Sequence, residues 1–377
     1  MSKIKEEKDK MMIDLFVTII VCFVIAVQIE NKSREYGTVK NALKKNGSVA
    51  LMYIILLLIL ILFSGLRTTY NDTETYMGAY TLLDVSQINI KTLFEPYGGF
   101  MIFQALLKKY ISEDPQTLIL VSSVFVNIMF VNFYSKYSEN FGLTIFCHFI
   151  LGTYVFSMGG IKQTMAMCFS LFAIDNLIQK KYWKFIMWLI VAMLFHPYII
   201  CMLIIPLFMG SIWDRKLIFF MFISIFMILN LETLLNFAGM IGKDYTIQEM
   251  TAFTVNPLRV LVECVPVLFS WVCRGKLRKE NNQLILMGIN MMIINAFMIS
   301  MGLFLQPIYF ARIGMYFSVL NAIVVPAMLN IMYKNSVNRK ANLLLYYTFF
   351  SIYFLLDMTK LGRTPITFDL FNHLKIF

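Results

Sequence analysis

Apolar stretches follow one another along the whole chain, and basic residues are concentrated in alternate connections between them. A helix that crosses a bilayer needs roughly 20 mostly apolar residues, and backbone polar groups inside hydrocarbon must be paired within a helix or a closed barrel. Barrel strands would alternate polar and apolar residues, which these stretches do not do. The apolar stretches are residues 11–29, 49–66, 117–134, 141–157, 165–178, 182–209, 217–237, 258–271, 284–305, 312–332 and 343–356.

This pattern predicts an all-α fold, a polytopic transmembrane helical bundle with about 11–12 membrane segments. We expect a single integral membrane domain over residues 1–377. Charged residues make up only 15% of the chain, against about 25% in an average soluble domain, which excludes a large soluble domain.

The net charge of +11 does not predict a nucleic-acid partner, because a membrane protein concentrates Lys and Arg beside anionic lipid on its cytoplasmic side. Membrane lipid is the partner that this charge indicates. The six cysteines lie within or at the ends of apolar stretches and form no C-x-x-C pair, so we expect no zinc site and no redox site. We predict no cofactor.

Lys and Arg are enriched in four connections, which the positive-inside rule places on the cytoplasmic side: residues 31–48, 179–184, 274–279 and 334–340. The outer face then holds a long segment, a loop and the C-terminal tail, at residues 67–116, 238–257 and 357–377. The side of the N-terminus stays open. Its lysines favour the inside, whereas a first stretch that spans the membrane fully favours the outside.

The apolar stretch 182–209 contains a break at His196-Pro197. Proline removes a helix hydrogen bond and disfavours helix in the preceding residue. If both flanking basic connections are cytoplasmic, the stretch must enter and return, so the charge rule favours a re-entrant pair of half-depth helices near His196. The alternative is one tilted, proline-kinked span, which would put 274–279 outside or require a further crossing.

Arg67 ends an apolar stretch on the outer side and is followed by Asp72, Glu74 and Tyr76. We interpret this group as a polar cluster at the mouth of a cavity. Arg67 would bind phosphate, and a carboxylate would orient or deprotonate an acceptor hydroxyl. The ordinary alternative is an arginine that snorkels to the interface, followed by carboxylates that cap the next helix.

Lys162 and Gln163 begin a helix directly after Gly159-Gly160. A helix N-terminus favours an anion, and the glycines permit close approach of a ligand or of another backbone. A plain helix start with a snorkelling lysine explains the same residues.

Other candidate residues lie further along the chain. His196 lies at the broken helix without a second His or Cys at metal-ligand spacing, so no metal site is predicted. Arg312 begins a stretch at the outer face with Tyr309 and Tyr316 nearby, and Arg363 lies in the tail. Cationic residues at the outer face oppose the positive-inside bias, and this excess favours an anionic, lipid-linked ligand.

Four segments together resemble the EpsG family of bacterial exopolysaccharide proteins, which are Wzy-like repeat-unit polymerases. The segments are LFSGLRTTYNDTETYMGAY, GGIKQTMAMCFSLFAIDNLIQKKYWKF, AMLFHPYII and YFARIGMYFSVLNAIVVP. The resemblance extends from about residue 62 to residue 326. The family usually has Arg at the position of Lys162, so the charge is kept here but the bidentate geometry of arginine is lost.

The resemblance implies a fold like that of the GT-C membrane glycosyltransferases. It implies polymerisation of undecaprenyl-pyrophosphate-linked oligosaccharide units into capsule, exopolysaccharide or O-antigen, without a metal, at the outer face of the bacterial cytoplasmic (inner) membrane. The partners implied are the lipid-linked oligosaccharide and a chain-length regulator and flippase of the same pathway.

Within this hypothesis, Arg312 stabilises the departing pyrophosphate with help from Arg67 or Lys162, and Asp72 or His196 is the base. The catalytic set is therefore Asp72, His196 and Arg312. The substrate-binding set is Arg67, Tyr76, Lys162, Gln163, Tyr309, Tyr316 and Arg363.

Four other functions fit parts of the pattern. A flippase for the same lipid-linked unit would need paired halves and charges along a pathway through the membrane. A polysaccharide ligase is barely separable from a polymerase by sequence. A membrane acyltransferase would use a histidine near one face of the membrane, and His196 is a candidate for that histidine. A scaffold for a synthesis complex would give the outer polar cluster no function.

Overall fold

The computed structural model describes residues 2–230, 254–304, 310–360 and 366–368. The chain divides into two compact units, which we call unit 1 (Met1–Ile200 and Leu344–Phe377) and unit 2 (Cys201–Leu343). Most of the predicted outer loop 238–257 lies outside the described residues, as do Tyr309 and Arg363. The single domain over residues 1–377 stays a prediction.

Unit 1 is helical, as predicted. Its helices are α1 (Ser2–Ser33), α2 (Val39–Leu43), α3 (Gly47–Gly65), α4 (Thr73–Leu82), α5 (Gly98–Tyr110), α6 (Gln116–Tyr137), α7 (Phe141–Ile150), α8 (Thr153–Gly159), α9 (Ile161–Ile178) and α10 (Tyr182–Met193). Short 3-10 turns cover Arg34–Tyr36, Val85–Gln87 and Ile90–Phe94, and a 3-10 helix over Pro197–Phe208 leads into unit 2.

Unit 2 is also helical over its described residues. Its helices are α11 (Arg215–Leu229), α12 (Pro257–Val272), α13 (Arg274–Leu277), α14 (Gln283–Met301), α15 (Ala311–Phe317) and α16 (Asn321–Tyr333), and α17 (Arg339–Lys360) returns the chain to unit 1. The exception to the helical fold is a short antiparallel pair, β1 (Arg67–Thr69) with β2 (Thr367–Phe368), in unit 1.

Five helices within the described part of the chain are long and apolar enough to cross a membrane: α1, α3, α6, α14 and α17. Two bent helix pairs, α7 with α8 and α15 with α16, raise the number to as many as seven. The protein is therefore a multi-pass membrane protein. This number is below the predicted 11–12, because several apolar stretches form helices too short to cross by themselves.

The predicted break near His196 is present. Helix α10 ends at Met193, and the 3-10 helix begins at Pro197, where proline cannot continue the hydrogen-bond pattern. Each of the two helices has 12 residues, which is short of a full crossing. Their re-entrant arrangement stays a prediction.

Two apolar stretches that we predicted to be continuous are broken. Helices α7 and α8 bend by 49° at Gly152, whose φ of 79° lies in the left-handed region that glycine adopts without strain. Helices α15 and α16 bend by 62°, where the N–H of Asn321 closes a turn on the carbonyl of Ser318 at 2.9 Å.

The basic connections of unit 1 lie at one end of its helices. At this end Lys136 at the end of α6 pairs with Asp175 near the end of α9, and Lys32 donates to Ser48 at 2.7 Å. The N–H of Gly142 at the start of α7 donates to the carboxylate of Glu30 at 2.9 Å. These contacts join the helix ends that flank the basic connections 31–48 and 179–184.

At the opposite end of unit 1, the other ends of these helices contact one another. Gln116, which begins α6, donates through Nε2 to the carbonyl of Gly65 at the end of α3, at 2.6 Å. The N–H of Ile366 lies 3.0 Å from the sulfur of Met11 in α1, next to the β1–β2 pair. The tail thus returns to the end of α3, and the predicted polar cluster lies at this end.

Candidate functional site

Arg67 is buried at the junction of three elements, with 1% of its surface exposed. Its guanidinium donates to the carbonyl of Ser64 in α3, to the hydroxyl of Thr73 in α4 at 3.1 Å and to the carbonyl of Met158 in α8 at 2.6 Å. Burial lowers the pKa of Arg67 to about 10, so the group stays charged at neutral pH. Arg67 therefore holds these three elements together, and its contact with phosphate stays a prediction.

The loop after β1 closes on the glycine pair that we singled out between α8 and α9. A Cβ placed on Gly159 would come within 2.9 Å of the side-chain nitrogen of Asn71, so glycine is what lets this loop approach. Asp72 follows at the N-cap of α4, where its side chain is exposed and makes no capping hydrogen bond. The N–H of Tyr76 bonds to the carbonyl of Asp72 at 3.0 Å, which puts Tyr76 one helical turn beyond Asp72.

Lys162, in the first turn of α9, lies among three aromatic rings, which we call the aromatic box: Tyr76, Tyr97 and Phe100. Its ammonium is 5.7, 4.9 and 5.4 Å from the centroids of these three rings respectively. Each such contact stabilises a cation by about 0.5–2 kcal/mol. The described residues offer this half-buried ammonium no hydrogen-bond acceptor, whereas it has three N–H donors. Gln163, its neighbour, is buried.

His196 lies against the same box. The rings of Tyr97 and His196 meet edge to face, with 5.3 Å between centroids and 71° between planes. His196 is 7% exposed, and its N–H bonds to the carbonyl of Ala192 at 3.1 Å, so the last turn of α10 fixes its backbone. Tyr97 thus contacts two predicted site residues, Lys162 in α9 and His196 in the break after α10.

The two glycines that follow Tyr97, Gly98 and Gly99, fix its position. Tyr97 has a φ of 64°, and the N–H of Gly99 donates to the carbonyl of Leu194 at 2.9 Å. A Cβ on Gly98 would lie 1.8 Å from the carbonyl oxygen of Thr92, and one on Gly99 would lie 2.7 Å from the Cβ of Leu194. Only glycine at positions 98 and 99 allows the segment 67–116 to pack this closely against the end of α10.

Tyr97 and Phe100 were not among the predicted site residues. The signal for them was the sequence Tyr97-Gly98-Gly99-Phe100, a glycine pair between aromatic residues in the long outer segment. A glycine pair marks close approach of backbones, but the partner of that approach is not visible in the sequence.

In unit 2, Arg312 is exposed in the first turn of α15, and Tyr316 on the same helix is fully buried. Gly314 lets α15 lie on α14, since a Cβ there would meet the carbonyl oxygen of Asn295 at 3.2 Å. The amide of Asn295 in turn donates to the carboxylate of Glu263 in α12 at 3.0 Å.

Glu263 was missed by the sequence reading. It is the one carboxylate in the apolar stretch 258–271, and an ionisable residue in such a stretch is by itself a reason to expect a function. Asn295 therefore contacts both Glu263 in α12 and Gly314 in α15, the helix that carries Arg312.

The structure therefore brings two predicted residues of unit 1, Lys162 and His196, against Tyr97. It places a third, Tyr76, beside Lys162, with Asp72 one turn from Tyr76. Arg312 and Tyr316 belong to unit 2. Among the described residues, no group of three or more His, Cys, Asp or Glu side chains is placed to hold a metal ion.

The sequence model of the EpsG family matches residues 50–369, which is most of the chain. No curated protein and no solved structure matches the chain significantly. The matched residues include every residue of the aromatic box, the break that carries His196 and the helix that carries Arg312. The chain therefore belongs to the EpsG family, a family of exopolysaccharide-related membrane proteins of the polymerase-like glycosyltransferase type.

Proposed function

We propose that the protein polymerises undecaprenyl-pyrophosphate-linked oligosaccharide repeat units at the outer face of the cytoplasmic membrane. The observation that carries this proposal is the position of Lys162. Its ammonium has no acceptor among the described residues and lies in an aromatic box beside a buried histidine, at the end of unit 1 opposite the basic connections.

In this proposal, the charge of the connections assigns the site to one side of the membrane. Connections 31–48 and 179–184 carry the Lys and Arg residues that the positive-inside rule assigns to the cytoplasm. Contacts such as Lys136 with Asp175 put these connections at one end of unit 1, and the aromatic box lies at the other. A site there would meet substrate on the outer side.

The reaction needs two kinds of group. An acceptor hydroxyl attacks the anomeric carbon of the growing chain, its proton passes to a base, and the C–O bond to the lipid pyrophosphate breaks. In this proposal, Lys162 stabilises the negative charge that develops on the leaving pyrophosphate. His196 and Asp72 are the candidate bases, and both come close to the box through Tyr97 and Tyr76.

The first test is deletion of the gene in its native host, with surface glycan and lipid-linked intermediates analysed side by side. We expect loss of long polymer, with single repeat units persisting on the outer face. Complementation with wild type should restore polymer, and complementation with Lys162→Met should not.

Lys109→Met is the matched control, since Lys109 is an exposed lysine of α5 that lies beside Tyr110, outside the box. It should complement like wild type. Units trapped on the cytoplasmic face would instead indicate a flippase, polymer that is made but not transferred would indicate a ligase, and unchanged polymer lacking a substituent would indicate an acyltransferase.

A further inference from the structure

We propose that Tyr76, Tyr97 and Lys162 form a subsite for one pyranose ring that carries an adjacent anionic group. This inference rests on the proposed function, because it names the part of the saccharide substrate that the site holds. Tyr97 is its new specificity-determining residue.

The aromatic box has one buried member and three partly exposed side chains, counting Lys162. Phe100 is fully buried and meets Tyr76 edge to face at 5.9 Å, so it forms the floor. Tyr76, Tyr97 and Lys162 are each partly exposed, so each side chain is accessible from outside the box.

The chemistry of these three groups matches that of a charged sugar. One face of a pyranose carries mainly C–H groups, which pack on an aromatic ring, while its hydroxyls and charges need polar partners. A lysine ammonium is a point charge with three donors and therefore binds phosphate or carboxylate without demanding a planar, bidentate geometry.

A purely structural box explains less. Three rings stabilise the ammonium of Lys162, but π faces are poor substitutes for the hydrogen-bond acceptors that its N–H groups require when half-buried. The fully buried guanidinium of Arg67 in the same unit donates to protein acceptors, whereas the partly exposed ammonium of Lys162 meets aromatic rings.

The anionic group has two possible sources that share this chemistry. It is either the phosphate on the anomeric carbon of the lipid-linked sugar or the carboxylate of a uronic acid within the repeat unit. The probes must separate these two sources from each other and from a bare anion.

The experiment measures binding to the purified full-length protein in detergent, by saturation-transfer NMR for the sugars and by competition against the preferred sugar for inorganic phosphate, which has no C–H protons to observe. The probes are glucose 1-phosphate, N-acetylglucosamine 1-phosphate, glucuronate, methyl glucoside and inorganic phosphate. We expect at least one of the three sugar anions to bind more tightly than both methyl glucoside and inorganic phosphate. A preference for a sugar phosphate identifies the lipid-linked end, and a preference for glucuronate identifies a uronic acid.

The variants divide the subsite into its parts. Tyr97→Leu should weaken binding of the preferred sugar anion about tenfold and that of inorganic phosphate by much less, because the sugar loses its ring contact while the ammonium of Lys162 stays. Tyr97→Phe should bind as wild type does. Lys162→Met should reduce binding of the sugar anion to that of methyl glucoside.

Tyr110→Leu is the matched control. Tyr110 is 71% exposed at the end of α5 and also lies beside a lysine, Lys109, at 5.2 Å. Its loss should change nothing. If Tyr97→Leu lowers the thermal unfolding temperature, Tyr76→Leu provides the same test from the other wall of the box.

The inference is overturned if no sugar anion binds better than inorganic phosphate, or if both tyrosine variants bind the preferred probe like wild type. This readout is independent of polymerisation. If the protein binds a sugar anion through Tyr97 but deletion of its gene leaves the polymer unchanged, the subsite stands and the proposed polymerase function is rejected.

Discussion

The N–H of Gly99 donates to the carbonyl of Leu194 at 2.9 Å, and this bond joins the segment 67–116 to the turn that follows α10 and leads to His196. The neighbouring Tyr97 reaches Lys162 and His196 from this anchor. The geometry of the candidate site therefore depends on a backbone contact as much as on its polar side chains.

Replacing Gly99 should damage the site without unfolding the protein. In Gly99→Ala the new Cβ would lie 2.7 Å from the Cβ of Leu194 and push the segment away. We expect a loss of polymer of tenfold or more, since small displacements of a catalytic group have effects of about that size. Gly78→Ala, on exposed α4 with nothing within 4 Å of the new Cβ, is the control, and polymer length on gels is the measurement. Full activity in Gly99→Ala would reject the anchoring role.

Replacing Arg67 should destabilise the protein. Arg67→Met removes the donor from two buried carbonyls, those of Ser64 and Met158, and from the hydroxyl of Thr73, which keeps its own bond to the carbonyl of Tyr70, and should cost about 2–5 kcal/mol. Thermal unfolding in detergent measures this loss, and Arg34→Met, at an exposed arginine of unit 1, should leave the unfolding temperature unchanged. A stable Arg67→Met variant that makes no polymer would show instead that Arg67 acts on the substrate.

Arg312 should be required for polymerisation and not for insertion. We expect Arg312→Ala to abolish polymer while the protein reaches the membrane in normal amounts, because Arg312 is exposed at the start of α15. Arg312→Lys should restore activity only in part if bidentate contact with pyrophosphate matters. Normal polymer length in Arg312→Ala would reject the phosphate role.

Glu263 should have a role through its charge. Glu263→Gln keeps the shape and an acceptor for the amide of Asn295 but removes the carboxylate. If the charge serves the helix that carries Arg312, polymer should fall severalfold with unchanged thermal stability. Glu280→Gln, at a carboxylate whose contacts are with neighbouring backbone N–H groups, is the control. Equal polymer in both variants would restrict Glu263 to packing.

The N-terminus should lie on the same side as the candidate site. Met11 of α1 contacts Ile366 beside the β1–β2 pair, at the end of unit 1 that holds Arg67. In intact cells, Ser2→Cys should therefore react with a membrane-impermeant thiol reagent, whereas Lys44→Cys should react only after permeabilisation. The parent chain with its six native cysteines gives the background. The reverse pattern would invert the orientation of unit 1.

The sequence by itself determined the helical membrane fold, because apolar length and charge bias act locally and do not depend on packing. It also indicated the break at His196-Pro197, since proline removes a helix hydrogen bond and disfavours helix in the preceding residue. Pro266 in α12 and Pro326 in α16 nevertheless lie inside helices, so the structure decides which proline coincides with a break. The sequence indicated the residue types of the site through Arg67, Lys162 and His196, because polar groups next to hydrocarbon are costly enough to be noticed.

Only the tertiary structure decided which of these residues meet. In the structure, the buried side chain of Arg67 donates to three protein acceptors. The apolar stretches 141–157 and 312–332, which look continuous in the sequence, are bent. The tertiary structure also brought Tyr97, Phe100 and Glu263 to positions that no local pattern marked as close to Lys162 or to the helix of Arg312. The physical reason is that a contact such as Gly99 with Leu194 depends on the fit of two distant backbones, whereas hydropathy and helix breaking are properties of a single segment.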